Sequence, residues 1–243
     1  MKTHFLLIIG AVALLAAGCQ TRSISDSGYQ PASGGNHRAQ RVQPTRYIGE
    51  LNELDVLGIE RNPKITEDQI AQALDSAGQI KLRKGSKVLL VQSGAQFPDE
   101  PMIAGLNQSL TVTPFSGLPN EFEREAYHKA LRFAAARGGC ETIVCYWGVL
   151  ECGRQSLDTK AVSWVPIVGS LLPDEHQHMR IRLKVAIVDV RTGNWAMFSP
   201  EPFEDKAVSA RLGRERSDQA QVNKLKHRAY ATAAHDLLKI YAN

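Results

Sequence analysis

Apolar and polar positions divide the chain into three stretches. An apolar run from Phe5 to Ala17 comes first, a polar stretch over residues 20–46 follows, and a patterned body begins near Tyr47. In the body, Thr66-Glu67-Asp68-Gln69 has the form of a capping box, a hydroxyl at the cap and an amide three residues on. It predicts a helix with Ile70, Ala73, Leu74 and Ala77 on one apolar face and Gly78 as its stop. Lys87-Val88-Leu89-Leu90-Val91 lacks polar alternation, as expected of a strand buried on both faces. Met102 to Asn107 suits a short helix, and Leu110 to Phe115 alternates as a strand. Asn120-Glu121-Phe122-Glu123 reads as a second capping box, opening a helix with Phe122, Tyr127, Ala130, Leu131 and Ala134 inward.

Thr142 to Leu150 is again apolar throughout and predicts a central strand. From His176 to Val185 the pattern alternates. Met179, Ile181, Leu183 and Val185 point one way, and His176, His178, Arg180, Arg182 and Lys184 the other, so one face of this strand should be wet and basic. Val185 to Val190 continues the strand, Arg191-Thr192-Gly193-Asn194 makes a turn, and Trp195 to Phe198 returns. Ser217 or Asp218 can cap a last helix whose inner face is Val222, Leu225, Ala229, Ala233, Leu237 and Ile240. The expected order is α-β-α-β-α-β-β-β-α. It gives an α/β (α+β) sandwich, a mixed sheet with helices packed on it. Residues 47–243 form its single domain.

Composition narrows the class. The 243 residues are 43% hydrophobic and 22% charged, which fits a globular protein. A net charge of +4 is too small to suggest nucleic-acid binding. The four cysteines, Cys19, Cys140, Cys145 and Cys152, are too few for a disulfide scaffold.

The first residues carry an address. Lys2, the apolar run and small residues before a break make a secretory signal. Leu15-Ala16-Ala17-Gly18-Cys19 resembles the lipobox of bacterial lipoproteins. The resemblance implies cleavage between Gly18 and Cys19 and acylation of Cys19. Residues 1–18 would then be the signal peptide and 19–46 a lipid-anchored tether. More than one acyl chain gives stable membrane attachment. Gln20, not Asp, follows the cysteine, which by the same resemblance favours the outer membrane, with the domain on its periplasmic face. A flexible tether of about 25 residues would reach roughly 25–30 Å.

Candidate chemistry is sparse. His176-Gln177-His178 could place two imidazoles on one side of a strand near Asp174 and Glu175, but zinc takes three or four such ligands, so a solvated strand end is the plainer expectation. Gly-x-Ser-x-Gly, Ser-x-x-Lys, His-Glu-x-x-His and a phosphate-binding glycine loop are all absent from the sequence. No cofactor and no enzyme activity are expected on these grounds. Cys145 reads as a buried thiol, and no obligatory disulfide is expected. The segment from Val162 to Leu172 is apolar between polar flanks. It either covers the domain's own core or meets a partner or a bilayer. Its Trp164, Val165, Pro166, Ile167, Val168, Leu171 and Leu172, together with Arg180, Arg182 and Lys184, are the candidate contact residues.

Three segments carry a further resemblance: Ala130 to Val144, Val162 to Pro173, and Lys184 to Trp195 with its Ile-Val-Asp-Val-Arg-Thr-Gly turn. Together they resemble the periplasmic fold of curli-assembly (CsgG-like) lipoproteins. The second segment looks more like rhombotail-type lipoproteins. The resemblance covers about residues 85–240 and implies a CsgG/TolB-N-like sandwich. It implies a non-enzymatic binding or assembly module with an envelope protein partner. A CsgG-like oligomeric secretion subunit is the alternative, and an envelope hydrolase or peptidase the second alternative.

Overall fold

Three of the expected strands become the centre of one sheet. The computed structural model describes residues 23–25, 50–59, 64–118, 126–155, 162–166, 177–207 and 214–242. Along the chain these form α1 (Glu53–Leu57), α2 (Glu67–Asp75), β1 (Lys87–Gln92), α3 (Glu100–Leu106), β2 (Thr111–Phe115), α4 (Tyr127–Arg137), β3 (Thr142–Gln155), β4 (Val162–Pro166), β5 (Gln177–Asp189), β6 (Trp195–Phe198), β7 (Phe203–Ala207) and α5 (Arg214–Tyr241). The seven strands run β2-β1-β3-β5-β6, with β4 added to β3 and β7 added to β5. β1, β2 and β3 are parallel, and every other pairing is antiparallel. The expected α+β class with a mixed sheet is therefore what the chain adopts.

The topology follows from handedness. β1 crosses to β2 through α3, and β2 crosses back over β1 to β3 through α4. Right-handed crossovers in opposite directions put the two helices on opposite faces of the sheet. On one face α3 and α5 pack Met102, Leu106, Leu225, Tyr230 and Leu237 against Leu90, Val144, Ile181 and Ile187. On the other, Val56 of α1 and Leu131 and Ala135 of α4 meet Leu89, Val91, Ile143, Cys145 and Val188. β1 and the first half of β3 are buried on both faces, which is why neither alternates. Among the described residues β2 pairs with β1 alone, and an edge position tolerates its Pro114.

Several expectations change. α1, β4 and β7 were not expected as regular elements. α5 starts at Arg214, ahead of the Ser217 or Asp218 cap, and Ile240 is 56% exposed whereas Tyr230 and Ala234 are buried. On α4 Ala130 is exposed and the inner residues are Leu131 and Ala135, with Tyr127 and Ala134 half-buried. The expected box at Asn120-Glu121-Phe122-Glu123 lies outside the described residues. The Thr66–Gln69 box is present, with both reciprocal hydrogen bonds, but no residue of α2 is buried.

Gly117 tests how tightly the loops after β1 and β2 are locked together. Its amide donates to the Ala95 carbonyl (2.8 Å), and its carbonyl accepts from the Gly94 amide (3.0 Å). A Cβ on Gly117 would stand 1.8 Å from the backbone oxygen of Gln92. Backbone cannot yield as a side chain can, so Gly117→Ala is expected to cost about 3–5 kcal/mol in urea unfolding. A loss under about 1 kcal/mol would mean that the two loops part easily.

Candidate functional site

β3 is longer than the strand beside it, and that mismatch builds the site. β1 pairs with β3 only as far as Gln92 opposite Tyr146, and β4 pairs with it only from Glu151 onward. Between them the edge of β3 from Trp147 to Leu150 has neither neighbour. Ser23, Ile24 and Ser25 fill the gap. Ser23 bridges Val149 in antiparallel sense, and the Ile24 amide donates to the Gly148 carbonyl at 3.1 Å. The Ile24 side chain is 0% exposed and joins the core under α3 and α5. Gly148 makes the room, since a Cβ there would lie 2.8 Å and 2.9 Å from Ile24 Cγ2 and Cδ1 and 2.7 Å from Leu183 Cδ2. Strand order 2-1-3 makes the carboxyl ends of β1 and β3 a topological switch point, the crevice where open α/β sheets ordinarily bind ligands. Here the chain's own residues 23–25 occupy it.

A buried polar network holds the docked residues. The Ser25 hydroxyl donates to the Ser93 carbonyl and accepts from Gln92 Nε2 (3.2 Å). Gln92 Oε1 accepts from the Asp99 amide (2.7 Å) and the Tyr146 hydroxyl (2.5 Å). Asp99 Oδ2 accepts from the Tyr230 hydroxyl (2.8 Å) and from Lys226 Nζ (3.1 Å) of α5. Burial raises both phenols well above their ordinary range, and the negative charge of Asp99 adds to it. Tyr146 and Tyr230 are therefore fixed donors. They hold Gln92 and Asp99 in place and move no proton near neutral pH. Ser93 Oγ accepts from the Leu51 amide (2.8 Å), and Trp147 Nε1 donates to the Leu51 carbonyl (2.8 Å), so the start of the body is fastened at the same place.

Beside the docked segment lies a cleft of about 510 Å³. Trp147, Val149, Arg182 and Lys184 line it from the sheet, Glu50 and Glu53 from the side of α1, and Ser199 to Pro202 close the far side. Lys184 Nζ pairs with Glu53 Oε1 at 2.7 Å. The Ser23 hydroxyl donates to Glu50 Oε1. Partial burial raises the Glu50 carboxyl above the ordinary glutamate range, the Ser23 hydrogen bond opposes this, and nearby Glu53 adds to it.

The residues singled out in the sequence fall in three groups. Gly18, Cys19, Ile167, Val168, Leu171, Leu172 and His176 lie outside the described residues. Val162, Trp164, Val165 and Pro166 belong to β4, where Trp164 stands opposite Gly153 and Pro166 opposite Glu151. His178 sits on β5 opposite Gly153. Arg180, Arg182 and Lys184 share one face as expected, but the face is no bare basic stripe. Buried Glu151 takes Arg180 Nε at 2.5 Å and Arg182 at 2.7 Å, and Glu53 takes Lys184. Cys140 and Cys145 are buried free thiols, and burial pushes the Cys145 thiol far up. Among the described residues no three His, Cys, Asp or Glu side chains come together to hold a metal. No described helix is long and apolar enough to cross a membrane.

Sequence reasoning placed residues 23–25 in the tether. The available signal was Ile24 itself, the first large aliphatic residue after Cys19, set between two serines. Nothing local marks it, because the gap it fills lies more than a hundred residues away.

Residues 52–240 match the YafT bacterial lipoprotein family, and the chain belongs to that family. Comparison with curated proteins gives no match.

Two outcomes follow from the docked segment. Ile24→Ser removes the buried side chain, and if residues 23–25 leave without unfolding the sheet, the loss is capped at the net free energy of docking, about 1 kcal/mol. Urea unfolding should show it, and hydrogen exchange should show loss of protection at the residue 24 amide. Full protection of that amide in the variant would mean the backbone pairing alone holds the segment.

A raised Glu50 favours the protonated form in the docked state. That contribution is complete below the unfolded pKa and is lost as pH rises through the higher folded value. The contribution of Glu50 to the free energy of urea unfolding should therefore be greater near pH 4 than at pH 7. Glu50→Gln should flatten this dependence, and an unchanged slope in that variant would assign it to another group.

Proposed function

We propose that this family member is an envelope lipoprotein that works by binding rather than by catalysis. Residues 1–18 are its signal peptide, Cys19 carries the acyl chains, and residues 47–243 form a periplasmic domain held at the outer membrane. The lipobox at Leu15–Cys19 and membership of a bacterial lipoprotein family support the anchor. The domain docks on another envelope protein.

The observation that carries the binding role is α2. Its capping box is complete, so the helix is well specified, yet none of its residues is buried. Leu74 is 72% exposed, and Ile65 and Ile70 are exposed beside it. An amphipathic helix ordinarily lays its apolar face on a core. Its tie to the body runs from Asn194 Nδ2 to the Ser76 carbonyl at 3.3 Å, just past its last turn. An apolar helix face left open in this way is the half of a helix-in-groove contact that a partner completes. A CsgG-like oligomer, in which the partner is a second copy, is a special case of the same reading.

Ile70→Ser combined with Leu74→Ser separates binding from folding. Exposed positions should change stability by no more than about 0.5 kcal/mol. Detergent-extracted envelope protein carrying both changes should lose the partner that the unaltered chain co-purifies, or lose its own oligomer by mass photometry. An unchanged partner set and an unchanged mass would refute the reading.

A further inference from the structure

The stretch of β3 that residues 23–25 cover has the make-up of a peptide-binding slot. It runs from Trp147 to Leu150, about 13 Å of strand between the end of the β1 pairing and the start of the β4 pairing. Its occupant bridges Val149 in antiparallel sense and sinks one aliphatic side chain, Ile24, beside Gly148 and into the cluster that holds Tyr146, Leu150 and Leu183. Main-chain pairing plus a pocket for one side chain is how a sheet edge takes up an extended peptide.

The slot also reads the residue after the isoleucine. Gln92 Oε1 accepts from the Asp99 amide and from the Tyr146 hydroxyl. The side-chain amide is thereby turned so that Nε2 donates to Ser25 Oγ (3.2 Å) and to Asp99 Oδ2 (3.3 Å). On the other side of Ser25 stands the Ser93 carbonyl, an acceptor. A group at this position must accept from one neighbour and donate to the other, and a hydroxyl does both. A methyl would leave both partners unpaired at a place where Ser25 is 5% exposed. A carboxylate would face the Ser93 oxygen with no proton to give.

The occupant is exchangeable. Closure of the chain behind residues 23–25 opposes their docking, and the balance leaves about a fivefold excess of docked over free segment. A segment tethered through about 24 residues presents itself at an effective concentration of about a millimolar. The intrinsic Kd of the slot for its own segment is then about 0.2 mM, weak enough for a competing peptide to displace it.

We propose that this slot binds an extended segment of a partner protein that carries isoleucine or valine followed by serine or threonine, with residues 23–25 as the built-in occupant that such a segment displaces. A second copy brings the same three residues, so it gains no contact over the chain's own while paying to associate. A foreign segment can add contacts outside these positions. The inference uses no residue of α2 and does not rest on that helix face.

The test titrates isotope-labelled full chain in detergent with the acetylated, amidated peptide Thr-Arg-Ser-Ile-Ser-Asp-Ser, the sequence of residues 21–27, and follows the amide signals of Gly148 and Val149. In the Ile24→Asp chain, whose own segment a buried carboxylate expels, the peptide should bind with a Kd of about 0.2 mM. In the unaltered chain it should bind about sixfold more weakly, because it must displace the built-in segment. Peptides carrying Ile24→Asp or Ser25→Ala should bind either chain roughly tenfold more weakly than the parent peptide. No shift at Gly148 or Val149 in either chain up to about 5 mM peptide overturns the proposal and leaves docking through α2 standing. Altered peptides that bind as well as the parent overturn it too, since the slot would then read neither residue. A dimer of the unaltered chain that Ile24→Asp dissolves makes a second copy the occupant and overturns the choice of a foreign segment.

Discussion

The Gly148 carbonyl needs a partner, and much of the molecule is arranged around that need. β3 continues past the end of β1 and leaves a stretch of edge that must be paired or exposed. An exposed edge in the middle of a sheet invites foreign strands. The chain closes this one with its own Ser23 and Ile24. Once Ile24 enters, several choices become intelligible together. Residue 148 must lack a side chain, Ser93 must face two incoming segments, and Gln92, Asp99 and the two tyrosines must be held rigid beneath them.

What occupies the crevice also bears on activity. Sheets of this strand order usually offer that crevice to a small ligand. In this chain it is filled by residues 23–25 and floored by Gln92 and by Tyr146 and Tyr230, whose phenols burial holds well above their ordinary range. Its polar side chains are spent on one another, with Tyr146, Tyr230 and Lys226 all converging on Gln92 and Asp99. The described surface also carries exposed apolar side chains on α2, Ile70 and Leu74. That exposed helix face is what the proposed docking role draws on.

Legibility from sequence followed burial. β1 and β3 could be read because strands covered on both faces show unbroken apolar runs. β5 could be read because its first half is covered on one side. The inner face of α5 was legible at Val222, Leu225, Ala229, Ala233 and Leu237, whose spacing is set by the groove they fill. Ile240 continues the same spacing past the end of that groove and is therefore exposed. β7 reads Phe-Glu-Asp-Lys-Ala and carries no strand pattern of its own; its pairing with β5 makes it a strand. α2 was legible as a helix from its caps, but its caps could not say that none of its residues is buried among the described residues. Ile24 is the extreme case, an isolated side chain whose meaning lies in a glycine far along the chain.

Energetics suggest that the dock is a balance. Holding Ser25 and Glu50 at one place closes the chain of about 24 residues between them, which costs on the order of 2.8 kcal/mol in closure entropy. Burying Ile24 returns about 1.5–3 kcal/mol. The hydrogen bond from its amide adds about 1 kcal/mol. These terms nearly cancel, so a change of about 1.4 kcal/mol shifts the docked-to-free ratio tenfold. Glu50 sits where such a change can be applied, bonded to Ser23 and facing Glu53 across the cleft mouth. Whether residues 23–25 stay on the sheet is thus decided by one buried isoleucine and its amide hydrogen bond against the closure of the chain behind them.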